Sequence, residues 1–231
     1  MQACRDAVKA SERINKMLKQ LRAAIVSVLL ITILTGFLFP GVITAIAKGV
    51  FPTQAKGSLI EQNGTVVGST LIGQNFTAPG YLHPRPSAAG NGYDATASSG
   101  TNLGPTSDKL VNGIHKKLAD GKDDPGNFDG IKDLAAAYRK ENGLADNTPI
   151  PADAATRSGS GLDPEISPAN AELQVARVAK ARGLSEDAVK KIVADNTAGR
   201  QFGVLGEPRV NVLKANIALD QAAPGKSGAG K

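Results

Sequence analysis

The chain has 231 residues, a formal net charge of +6, one cysteine and no tryptophan. A single thiol excludes an intramolecular disulfide, so any folded part must be held together by its own core. The positive charge loses its meaning as a nucleic-acid signal once it is located: Arg5, Lys9, Arg13, Lys16, Lys19 and Arg22 face only Asp6 and Glu12, and everything after residue 22 is close to neutral.

Residues 1–22 are read as a basic cytoplasmic tail and residues 23–47 as a transmembrane helix, because no charged side chain occurs between Arg22 and Lys48. At about 1.5 Å of rise per residue such a helix is roughly 37 Å long, enough to cross a hydrocarbon core of about 30 Å with some tilt. A secretory signal peptide also starts with basic residues, and Ala45-Ile46-Ala47 satisfies its small-x-small cleavage rule. Its apolar region is only about 7 to 15 residues, however, so length favours an uncleaved anchor. Lys and Arg collect on the cytoplasmic flank of membrane helices. The chain is therefore expected to be a single-pass protein of the inner (plasma) membrane, surrounded there by lipid, with its C-terminal part extracytoplasmic. Inside the span, Thr35-Gly36 and Pro40-Gly41 interrupt a Leu/Ile/Val-rich run. Small residues admit a partner helix and proline favours a kink, while both are also simply commoner in membrane helices. Gly36 and Pro40 are kept as candidate contacts.

Residues 48–221 are read as one soluble α+β domain with a small antiparallel sheet, and residues 222–231 as a flexible tail. Ser58-Leu59-Ile60-Glu61-Gln62 and Thr65-Val66-Val67-Gly68-Ser69 flank Asn63-Gly64, a strong hairpin signal because both turn residues tolerate positive φ. Residues 77–105 are rich in Gly, Pro, Ser and Asn, an unusually long loop, and the interleaved Phe76, Tyr81, Tyr93 and Leu103 argue that it is ordered. Ser107 reads as an N-cap, with Leu110, Ile114 and Leu118 on one helical face. A second helix is predicted over 130–141, stopped by Asn142-Gly143. The clearest helix starts at Ser167-Pro168 and ends at Arg182-Gly183, with Leu173, Ala176 and the stem of Lys180 predicted to share a face. Leu184 and Val189 staple the next helix around the Ser185 cap, and it should run to about Asp195. Val210-Asn211-Val212-Leu213 reads as a strand and 214–221 as a closing helix.

Catalytic and metal signatures fail one by one. His83 and His115 are too few for a zinc site. Gly225-Lys226-Ser227 imitates a phosphate loop, but Asp220 stands where its first glycine is needed. Ser158-Gly159-Ser160-Gly161 resembles a nucleophile elbow, yet Thr156 and Ser158 occupy the positions that need glycine. Asp120, Asp123, Asp124, Asp129 and Asp133 do not keep the acid order of a calcium loop and read as a solvated connection. Ser98-Ser99-Gly100-Thr101-Asn102 either presents amides to an anion or forms a turn satisfied by its own hydroxyls. No catalytic set and no metal site is predicted.

The residues resemble one family throughout, the C subunit of the Kdp potassium-transporting P-type ATPases. The resemblance rests on Thr35-Gly36, Phe39-Pro40, Phe51-Pro52, Gly57-Ser58-Leu59-Ile60, Leu71-Ile72-Gly73-Gln74-Asn75-Phe76 and Arg85-Pro86-Ser87-Ala88. It continues through Gly68-Ser69, Tyr93-Asp94, Ser98-Ser99-Gly100-Thr101-Asn102-Leu103-Gly104-Pro105, the run 158–168 beginning Ser158-Gly159-Ser160-Gly161, Gln174, Arg177-Val178-Ala179, Arg182-Gly183-Leu184, Gly206-Glu207-Pro208-Arg209-Val210-Asn211-Val212-Leu213 and Asn216-Ile217-Ala218-Leu219-Asp220. Thr101 stands where the family more often has serine, which keeps the hydroxyl. The match covers about residues 24–221.

The resemblance implies a four-subunit pump. A channel-like subunit carries potassium, a P-type subunit hydrolyses ATP through an aspartyl phosphate, and a small membrane subunit completes the complex. The C subunit performs neither step. The family is described as a catalytic chaperone that raises the ATP affinity of the hydrolysing subunit, with Gln74 a candidate nucleotide contact and ATP the ligand. The charge argument places the domain on the opposite side of the membrane from ATP and favours a structural role near the external potassium entrance. Gln74, Asn75, Phe76, Arg85, Ser87, Ser98, Ser99, Asn102, Ser160 and Asp163 are the candidate partner-interface residues, with loop-ordering turns as the competing explanation. The alternative function is a stand-alone, membrane-anchored extracytoplasmic binding domain or hydrolase, which would purify by itself.

Overall fold

The structure is a computed structural model that describes the backbone of residues 2–223 and the side chains of residues 15–223. The Gly225-Lys226-Ser227 segment and the predicted tail beyond Ala223 lie outside the described residues. The fold has two compact units, divided after Ser58.

The first unit is helical. Helix α1 (Gln2–Ile33) passes through a π-helical turn (Leu34–Leu38) into α2 (Phe39–Val50), and a short α3 (Pro52–Ala55) follows. The π turn has a local cause. Pro40 has no N–H to donate, and its ring would press on the residue 36 carbonyl of a straight helix. The helix widens just before it, and the Phe39 N–H bonds five residues back to the Leu34 carbonyl. Thr35 Oγ1 donates to the Ile31 carbonyl at 2.7 Å. Around Gly36 a methyl group would meet nothing within 4 Å. Residues Asn15–Val50 form one helix long and apolar enough to cross a membrane, and the predicted span lies inside it.

The second unit has the predicted α+β class. Strands β1 (Leu59–Gln62) and β2 (Thr65–Ser69) pair antiparallel, with Gln62 opposite Thr65 and Leu59 opposite Ser69. Asn63 and Gly64 turn the chain at φ +51° and +77°, as the Asn-Gly signal requires. The register slips between Ile60 and Glu61, so Val67 bulges out of the ladder.

After the long loop come α4 (Asp108–Asn112), α5 (Ile131–Glu141), α6 (Ala152–Ala155), β3 (Glu165–Ile166), α7 (Pro168–Arg182), α8 (Glu186–Asp195), β4 (Thr197–Ala198), β5 (Arg209–Asn211) and α9 (Val212–Ala222). A three-stranded antiparallel sheet runs in the order β3-β5-β4. Val175, Val178, Val189, Val193, Val210, Val212 and Leu219 from these elements form the core with Leu82 and Ile166.

Helices α5, α7 and α8 match their predicted ranges and caps, since Ser167 and Ser185 accept from the Asn170 and Ala188 amides. Three expectations are corrected. Helix α4 ends at Asn112 rather than near Leu118: Gly113 turns the chain at φ +77°, Ile114 pairs across to Phe128, and Leu118 is exposed. The buried face of α7 carries Ala171, Gln174, Val175, Val178, Ala179 and Arg182, leaving Leu173 half-buried and Ala176 and Lys180 exposed. The strand expected over 210–213 stops at Asn211, because its side chain caps α9 by accepting from the Lys214 amide at 3.0 Å.

Candidate functional site

The loop over 77–105 is ordered without being part of a sheet. Its backbone finds partners in side-chain amides. Gln174, fully buried on α7, accepts from the His83 amide at 2.7 Å and donates to the His83 carbonyl at 3.1 Å. Asn216 on α9 does the same for Leu82, at 2.8 and 2.9 Å. Two amide side chains thus imitate a neighbouring strand across residues 82 and 83, which satisfies backbone groups that burial would otherwise strand. Arg182 adds a hold on the Gly80 carbonyl, a 2.8 Å ion pair to Asp220 and a stacked position over the Tyr81 ring. Arg177 donates to the Pro79 and Tyr81 carbonyls at 2.7 and 3.0 Å. None of these four side chains was singled out by the sequence as a site residue. The available signal was the placement of polar residues at core positions of a helical pattern.

The blocks around residues 73–76, 85–93, 98–100 and 158–163 come together in one knot. Ser87 Oγ donates to the Gly161 carbonyl at 2.7 Å and accepts from the amides of Ala89 and Tyr93. Ser98 Oγ and the Ser99 amide both reach the Ser160 carbonyl, at 2.9 and 3.0 Å. Ser160 Oγ receives the Leu162 amide. Arg85 pairs with Asp163 at 3.0 Å and reaches the Thr156 carbonyl at 3.3 Å. Tyr93 donates to the Arg85 carbonyl at 2.8 Å, and burial, with Asp163 nearby, pushes its pKa up. Asn102 turns the chain at φ +53° beyond the knot. The Gln74 Nε2 donates to the Val67 carbonyl at 2.8 Å, tying the hairpin bulge to this region. Gly36 and Pro40 belong to the helical unit and lie outside the knot.

Close approach explains Gly73. A methyl group there would sit 2.5 Å from the Asp163 carbonyl oxygen and from a carbon of the Tyr93 ring. Gly73→Ala is expected to destabilise the domain by about 1 to 3 kcal/mol, the range of overpacking against groups that cannot yield. Thermal unfolding of the full chain in detergent measures this; an unchanged midpoint would mean that the knot is loose.

Beside the knot lies a cleft of about 400 Å³, lined by Asn75, Phe76, His83, Arg85, Asn91 and Glu141 among others. His83 Nδ1 is 2.7 Å from Glu141, and its Nε2 faces the Ala78 carbonyl at 3.0 Å. The His83 hydrogen bond holds the Glu141 carboxyl below its ordinary range, aided by Arg177. The lining is mixed in charge, and its Ser87 and Tyr93 hydroxyls donate to the carbonyls of Gly161 and Arg85. His115, Asp129 and Asp133 place ligand atoms near one another in a solvated position. Two of the three already bond each other: Asp133 accepts from the Gly130 amide at 2.8 Å and pairs with His115 at 2.9 Å, which raises the imidazole pKa and lowers the carboxyl. Asp124 and Asp120 accept amides of their own turns.

Residues 21–221 match the family model of the KdpC protein, described as the c chain of the K+-transporting ATPase. Curated relatives carry the name potassium-transporting ATPase KdpC subunit. The one from Beijerinckia indica is 51% identical over 208 residues, covering 90% of this chain and 96% of its own length. That from Mycobacterium tuberculosis H37Rv is 47% identical over 205 residues, covering 89% of this chain and 100% of its own. A Gemmatimonas aurantiaca relative is 51% identical over 205 residues, covering 88% and 94%. With a matching family model over most of its length and relatives this similar along nearly their whole chains, the protein belongs to the KdpC family of K+-transporting ATPase subunits.

Proposed function

We propose that this chain is an accessory subunit of an ATP-driven potassium uptake complex that holds the assembly together from the extracytoplasmic side of the plasma membrane. It works with a channel-like potassium-translocating subunit, a P-type ATP-hydrolysing subunit and a small membrane subunit. Its helix docks on the channel-like subunit through the widened turn before Pro40, and its domain sits near the external potassium entrance.

The observation that carries this reading is the charge asymmetry across the single apolar helix, with six basic and two acidic residues before it and near neutrality after it. A P-type subunit binds ATP in the cytoplasm, so a domain on the far side does not reach the nucleotide. The use of Gln74 as a tie to the Val67 carbonyl supports an architectural role for that residue rather than a nucleotide contact. The convergence of the candidate blocks into one knot makes them the scaffold that shapes an interface.

The test is a Cys4→Ser, Asn91→Cys chain in intact cells, since Asn91 is exposed and Cys4 is the sole native thiol. A membrane-impermeant thiol reagent added outside is expected to label it. If only permeabilised cells are labelled, the outward assignment fails.

A further inference from the structure

The segment between β4 and β5 is a small hairpin with no part in the core. Gln201 and Leu205 exchange both backbone hydrogen bonds, at 2.8 and 2.9 Å, and the Val204 amide closes the turn on the Gln201 carbonyl at 3.2 Å. Its central residues, Phe202 and Gly203, lie at φ +54° and +76°. Such turns favour Asn-Gly, and the same chain supplies the comparison: Asn63 and Gly64 stand at +51° and +77° in the β1–β2 hairpin. Phe202 therefore occupies a position suited to asparagine. A bulky residue at positive φ is an outlier, strained where nothing compensates it. Packing within the domain does not compensate it, because Phe202 is 84% exposed, Val204 73% and Leu205 57%. The loop is nevertheless built firmly, with Arg200 bonded to both carboxylate oxygens of Glu207 at 2.7 and 2.6 Å across its base.

We propose that Phe202, flanked by Val204 and Leu205, is an anchor that inserts into an apolar pocket on the extramembrane surface of the channel-like subunit, with Arg200 and Glu207 at the pocket's polar rim. This rests on the reading of the chain as that subunit's partner. A lipid surface is the other apolar medium open to a membrane-tethered domain, and the charges disfavour it. Segments that insert among headgroups carry surplus Lys and Arg. Here Arg200 is balanced by Glu207 and Arg209 by Glu165. An exposed aromatic residue inside a charge-balanced polar ring is instead the anatomy of a protein hot spot.

The experiment uses the full chain co-expressed with its partner subunits and purified in mild detergent. Phe202→Asn is expected to lower the retained channel-like subunit about tenfold, the scale of a lost hot spot. Its own unfolding temperature should stay level or rise, because asparagine suits the turn. If the wild-type chain fails to retain that subunit, the underlying reading is wrong. If the wild type retains it and Phe202→Asn retains it equally, the anchor alone is wrong, and a fall in unfolding temperature overturns the strain argument and the proposal with it. Because the chain has no tryptophan, Phe202→Trp places a single reporter on the tip. In nanodiscs of brominated lipid without partner subunits its fluorescence should remain unquenched; strong quenching would assign the loop to lipid and overturn the pocket.

Discussion

Gln174→Leu is expected to cost the domain about 4 kcal/mol, the larger of the two biggest effects foreseen. The leucine keeps the volume but removes every polar contact of a fully buried amide. The His83 N–H and C=O, the Asn170 Oδ1 and one Arg177 nitrogen would each lose a partner. A single buried group left unsatisfied costs about 1 to 3 kcal/mol, and relaxation or entering water recovers some of the sum. In a domain of this size, 4 kcal/mol corresponds to roughly 8 to 16 °C in the unfolding midpoint. The neighbouring Leu173→Ala, on a half-buried position, should cost only about 1 kcal/mol. Hydrogen exchange at the His83 amide should accelerate in the Gln174 variant and not in the Leu173 variant. Equal midpoints for the two variants would mean that something other than the buried amide orders the loop over 77–105.

Asp220→Ala should follow, at about 3 kcal/mol, and the effect should be asymmetric within its ion pair. The Arg182 side chain is 2% exposed and Asp220 is 40% exposed. Removing the acid leaves a guanidinium in the interior with its Nη1 already lacking a hydrogen-bond partner among the described residues. Removing one partner of a buried pair costs about 3 to 5 kcal/mol, because the remaining charge is uncompensated, whereas a well-packed apolar replacement of the buried partner is often tolerated. Partial exposure of Asp220 places the expectation at the lower end of that range. Arg182→Met leaves a carboxylate that water can reach, so it should cost less than Asp220→Ala despite also losing the bond to the Gly80 carbonyl and the stack on Tyr81. Chemical denaturation of the two variants side by side reads the difference directly. A larger loss for Arg182→Met would show that the loop contacts outweigh the buried charge.

These two residues also show where reading the residues in order falls short. Helix α7 was delimited to the residue by Ser167, Pro168 and Gly183, because caps act on backbone groups within a turn of themselves. Its buried face lies away from the predicted Leu173, because it carries Gln174 and Arg182 among valines and alanines. A hydrophobicity pattern counts those two as solvent-facing. Only partners far along the chain make them interior: His83 lies 91 residues from Gln174, and Leu82 lies 134 residues from Asn216. Helix α4 failed in the opposite way. Its apolar period continued through Ile114 and Leu118, but pairing of Ile114 with Phe128 overrode it.

The candidate site divides along the same line. Gln74, Arg85, Ser87, Ser98, Ser99, Ser160 and Asp163 were all singled out, and the knot joins them. Phe202 has no such mark, because a lone phenylalanine next to glycine carries no local signal. Its unusual φ and its exposure are properties of the folded loop.

By itself the amino-acid sequence determined the long apolar helix, the charge asymmetry across it, the Asn63-Gly64 hairpin and the capped helices α7 and α8. All of these depend on composition or on groups within a few residues of one another. The tertiary structure alone decided which polar side chains are interior, how a 29-residue loop (77–105) is held without a sheet, and which separated blocks meet. A buried amide or guanidinium is stable only where a distant backbone segment supplies its partners, and no spacing along the chain encodes that meeting.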